Sequence, residues 1–221
     1  MTITDVITAI SVAIAALAFV AGVNAWRREF IGKRRIELAE NVLALFYEAQ
    51  DAIREIRSPF SFGGEGSTRK RSEHEREEET QFLDQAYVVF ERYQKREKLF
   101  AELRSMKYRV MATFGSNAGE SFDEINAILN EIFSAAHILG THFWKRQGRV
   151  PMGDEEFQKH LAGMNKFEAI FWFQGEENDV IVPRVRIAVE KIEAIARKES
   201  MMKASWFSKK ERDKRKSKNR A

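Results

Sequence analysis

From Val6 to Trp26 the chain shows no hydrophobic–polar alternation: the 21 residues VITAISVAIAALAFVAGVNAW carry no charge. As a helix they would rise about 32 Å, enough to cross a hydrocarbon layer of about 30 Å with little tilt. The pattern predicts one transmembrane helix over residues 6–26. A cleaved signal peptide would put positive charge before a shorter apolar core. Here Asp5 precedes the core, and the basic residues Arg27, Arg28, Lys33, Arg34 and Arg35 follow it. By the positive-inside rule this flank places the C-terminal side in the cytoplasm and residues 1–5 outside. Within the span, Thr4, Thr8, Ser11, Ala15, Ala18, Gly22 and Ala25 recur at steps of three and four. Such a stripe lets helix backbones approach in lipid, so Ser11, Ala15, Ala18 and Gly22 are expected to pack a homo-oligomer.

The rest of the chain reads as amphipathic helices. Leu38, Val42, Leu45, Ala49, Ala52 and Ile56 follow heptad spacing, with Phe46 and Ile53 widening the stripe. This helix should stop at Ser58-Pro59, with Gly32 as a hinge between it and the span. Residues 58–74 form a loop rich in Gly, Ser and charge. Residues 75–114 predict one long helix with Phe82, Ala86, Val89, Phe90, Tyr93, Phe100, Leu103, Val110 and Phe114 on its apolar side. Ser121 and Glu124 form a capping box for a helix through Leu129, Ile132 and Leu139 to Gly148. A further helix follows Asp154, carries Phe157, Leu161, Met164, Phe171 and Trp172 and stops at Gly175, and Asp179 caps a last one with Pro183 in its first turn. No strand pattern competes. The expected fold is all-α: a single N-terminal transmembrane helix, then a cytoplasmic helical bundle over residues 27–202 containing a long helical hairpin.

Charge distribution refines this picture. The formal net charge of +4 divides into +4 over residues 27–35, +7 over 203–221, −1 at Asp5 and, by difference, −6 over 36–202. Basic ends flanking an acidic body suit an anionic membrane surface. The tail opens with Trp206-Phe207 and continues through Lys209 and Lys210, a pairing of interfacial aromatics and charge expected of a disordered or membrane-surface segment over 203–221. Trp26 and the basic flank complete the membrane-interface set. Nucleic acid is disfavoured as a partner, since the body is acidic and the aromatics are not interleaved with the basic residues. The chain has no cysteine, so thiol chemistry is excluded.

Catalytic signatures are lacking. The histidines, His74, His137, His142 and His160, do not share a metal-binding spacing; His137 and His142 lie five apart, roughly 140° around a helix. No metal or cofactor is expected. One local feature suggests a ligand: in GGEGSTRKR, residues 63–71, Gly63, Gly64 and Gly66 could present backbone amides while Arg69, Lys70 and Arg71 supply charge for an anion. The same residues also suit a plain inter-helical loop. These readings favour a membrane-anchored scaffold or adaptor that works through an unidentified protein partner. The alternative is a membrane-bound effector that takes an anionic ligand or nucleotide on the 63–71 loop.

Overall fold

The computed structural model describes residues 3–218, with side chains through Met201. The described residues are helical without a strand: α1 Ile3–Ile56, α2 Glu77–Lys95, α3 Glu97–Phe114, α4 Glu120–Ile138, the single turn α5 Trp144–Arg146, α6 Asp154–Phe171 and α7 Val182–Lys218. One helix, α1, is long and apolar enough to cross a membrane, and none of its most apolar window is buried. Two compact units divide the chain, Met1–Asn41 with Ile195–Ala221 and Val42–Ala194.

The larger unit is built around α4, which packs against α2 and α6. Phe122, Ile125, Ile128, Leu129, Ile132, Ala135 and Ala136 of this helix are apolar and buried. Burying a side chain of the size of Phe122 or Ile125 stabilises by about 1.5–3 kcal/mol. The stripe expected on α1 is buried too: in this unit Phe46 meets Phe122 edge-on at 4.9 Å, and Val42, Ala49, Ala52, Ile53 and Ile56 lie beside it in the core. Arg184 at the start of α7 bridges Glu124 and Glu131 of α4. In the smaller unit, Arg35 of α1 holds the buried Glu199 of α7 in a two-pronged ion pair at 2.8 and 3.0 Å.

Four expectations are corrected. Gly32 is no hinge: α1 continues through it, and nothing lies within 4 Å of where its Cβ would be, so no contact forces a bend. The expected 75–114 helix breaks at Arg96, where φ −109° and ψ 9° leave helical geometry and the side chain reaches Glu55. Ser121 caps nothing. A 3₁₀ turn over Ser116–Gly119 feeds α4 from Glu120, so Ser121 is buried inside the helix and Glu124 pairs with Arg184. The run expected to reach Gly148 instead widens to a π-helical segment over Leu139–Phe143. Gly140 explains the fit there, because a Cβ would sit 2.6 Å from the Ala86 Cβ of α2. By contrast, the expected Asp179 cap is present, accepting from the Ile181 and Val182 amides at 2.8 and 2.9 Å.

Candidate functional site

Helix ends leave carbonyls without partners, and two buried arginines supply them, Arg92 at the end of α1 and Arg57 at the end of α6. Arg92 of α2 donates to the Ile56, Ser58 and Phe60 carbonyls and to the Glu65 carboxylate, the Ser58, Phe60 and Glu65 bonds each 2.7 Å long. Arg57, 1% exposed, donates to the Ala169, Ile170 and Trp172 carbonyls at the end of α6 and to Asp179 Oδ1 at 2.7 Å. Asp179 thus neutralises Arg57 while capping α7. Burial pushes its carboxyl pKa up, but the Arg57 guanidinium and the Gln174 and Val182 amides outweigh this, and the net direction is down.

These clamps fix the loop between α1 and α2. Glu65, held below the usual carboxylate range chiefly by Arg92, also accepts from the Phe62 amide. The Gly66 amide donates to Glu91 at 2.6 Å, and Thr68 Oγ1 donates to the same oxygen. Arg69 forks onto Glu75 and reaches Asp84 at 3.0 Å, so the Glu75 carboxyl is drawn down to about 2. Only glycine fits at position 66: φ is +85°, and a Cβ would stand 1.9 Å from the Asp84 carbonyl oxygen.

Between this loop and α2 lies a cleft of about 490 Å³. Pro59, Ser61, Phe62, Gly63, Gly64 and Ser67 line it from the loop side, Gln81, Asp84, Gln85 and Val88 from α2, and Trp172 from the end of α6. Phe60 and Phe62 are more than four-fifths exposed, although Arg92 and Glu65 hold the backbone around them.

The candidate anion-binding residues fall into two groups. Gly63 and Gly64 line the cleft, whereas the Gly66 amide and Arg69 are engaged by the protein's own carboxylates. Lys70 is exposed, and the largely exposed Arg71 lies 3.8 Å from Asp84. No group of three or more His, Asp or Glu stands ready for a metal ion among the described residues. His160 is buried against Phe143, its Nε2 without a hydrogen-bond partner, while His74, His137 and His142 are exposed.

On the membrane-interface set, Trp26 is exposed and stacks on Phe30 at 5.6 Å, and Arg34 lies over the same Phe30 ring. Arg27 and Arg28 are exposed, Lys33 pairs with Glu29, and Arg35 is engaged by Glu199. Ser11, Ala15, Ala18 and Gly22 are all exposed, with nothing within 4 Å of where a Gly22 Cβ would be. The backbone of α7 runs through Lys218, but the side chains of Trp206, Phe207, Lys209 and Lys210 lie outside the described residues.

Pattern reading names Asp179 only as a cap and misses both its pairing with Arg57 and the separate clamp made by Arg92. The one available signal is position: Arg57 directly follows the last apolar residue of the α1 stripe, where a solvated helix face should already have ended. No family model, curated protein or solved structure matches the chain.

Proposed function

We propose that this protein is a single-pass membrane-anchored helical scaffold, N-terminus outside, whose body recruits a protein partner at the cytoplasmic face. The observation that carries the reading is a contrast in burial. The 42–194 unit closes its own apolar core, while Ile3, Ile7, Ile10, Ile14, Leu17 and Phe19 of α1 are each more than half exposed. A bilayer is the solvent in which that exposure is favourable, and the exposed Arg27 and Arg28 beside Trp26 mark where it would end. The basic segment 203–221 adds attraction to an anionic leaflet of about 1 kcal/mol per basic residue near the surface. Among the described residues, the ion pairs of the larger unit join its own elements, such as Arg57 with Asp179 and Arg184 with Glu124 and Glu131, which suits a rigid adaptor. Capture of added vesicles by the full chain held in neutral nanodiscs, beside a chain truncated after Ser200 held in the same way, tests the tail: the truncation should lower recovery on anionic but not on neutral vesicles. Equal recovery on both would remove the tail from the reading.

A further inference from the structure

We propose that the cleft between the α1–α2 loop and α2 binds the base of a neutral nucleoside, a role independent of the membrane anchor. At about 490 Å³ it lies within the range of small-molecule sites, roughly 300–1,000 Å³. Its lining is chemically selective. Phe62 and Trp172 put two aromatic residues in the lining, and base–aromatic stacking supplies about 1–3 kcal/mol per base. Gln81 and Gln85 stand one turn apart on α2, their side chains exposed at the wall. Each amide both donates and accepts, the pairing that a base edge requires. Ser61 adds a hydroxyl suited to a ribose hydroxyl.

Charge decides the ligand class. No Lys or Arg lines the cleft, and its two carboxylates are already paired, Glu65 with Arg92 and Asp84 with Arg69. The cations nearest the cleft, Arg69 and Arg71 beside Asp84 and Arg92 and Lys95 beside Glu65, are held by its carboxylates, so a phosphate would have to compete for them and an organic cation would find those carboxylates already neutralised. A neutral ring fits the balance. The site is also preorganised: Arg92 holds the Phe60 carbonyl and Glu65 the Phe62 amide, so Phe62 is presented on a fixed backbone although its ring is open to solvent.

The test uses the full chain in nanodiscs with adenosine, adenosine monophosphate and glucose as probes, followed by saturation-transfer NMR and titration. Adenosine should bind, the monophosphate should bind no more tightly, and glucose should bind far more weakly. Phe62→Ala, at an exposed position that leaves the fold intact, should weaken adenosine by about 5- to 150-fold, the equivalent of 1–3 kcal/mol. Gln85→Ala should weaken it as well. The proposal is overturned if adenosine gives no saturation transfer, if glucose matches it, if the phosphate tightens binding tenfold or more, or if Phe62→Ala leaves the affinity unchanged.

Discussion

Arg57 and Asp179 are 1% and 0% exposed at their side chains, and each spends its charge on the other and on helix ends. Removing one partner leaves a buried charge without compensation, at a typical cost of about 3–5 kcal/mol. Arg57→Ala and Asp179→Ala should each lower stability by this much in urea titrations, and the double variant should cost clearly less than the two together. Additive losses would mean the pair is not coupled. Gly66→Ala should also destabilise, by at least ~2 kcal/mol, since positive-φ strain adds to a collision with backbone, while Gly63→Ala should be near neutral in its open site. Protons probe the same loop. The Glu75 carboxyl is lowered from 4.5 to about 2, first by Arg69, so the folded state holds this proton less tightly than the unfolded chain. Its stabilisation is complete above pH 4.5 and is lost as pH falls from there to about 2. Glu65, Glu131 and Asp179 shift in the same direction. Melting temperature should therefore fall on acidification through this window, and Glu75→Gln should show a shallower fall; an identical slope would contradict the assignment. At this scale the apolar residues were legible, because Val42, Phe46, Ala49, Ile53 and Ile56 follow the period of a helix. The arginines were not. Arginine on a helix is usually solvated, and only the position of the helix ends in space reveals that Arg57 and Arg92 are caps.

Helices were legible as a class, their boundaries less so. Pro59 and Gly115 mark their stops in the sequence, but the break at Arg96 lies within QKREK, where no glycine or proline announces it and a contact with Glu55 accompanies it. The Ser121–Glu124 spacing satisfied a local rule for a helix start. It lost to tertiary demand: Ser121 is buried and Glu124 serves Arg184. Gly32 shows the reverse, a residue able to hinge that stays helical because the residues on both sides favour helix. The face of α1 that carries Ser11, Ala15, Ala18 and Gly22 is open in a single copy. If it packs a second copy in lipid, replacing Ala18 and Gly22 with leucine should weaken self-association in a membrane two-hybrid assay, because backbones are kept apart. Ile10→Leu with Ile14→Leu should change little. Equal effects from the two pairs would show that the stripe has no role in packing.

On the scale of the whole molecule, the account rests on α1 doing two jobs along one continuous helix. Its first part is apolar and exposed, and its last part supplies core to the 42–194 unit. The basic flank between them carries +4 over residues 27–35, and under the proposed reading the positive-inside rule would put the body on the cytoplasmic side. The loop cleft was only half legible, since its glycines stand out in the sequence while Gln81, Gln85 and Trp172 join them solely through the packing of α2 and α6. Membrane topology tests the central claim most directly. Paired reporters fused after Ala221, one active only in the cytoplasm and one only outside it, should give signal from the cytoplasmic reporter alone, with the fusion retained in the membrane pellet after carbonate washing. Activity of the outside reporter, or release of the fusion by carbonate, would contradict the account.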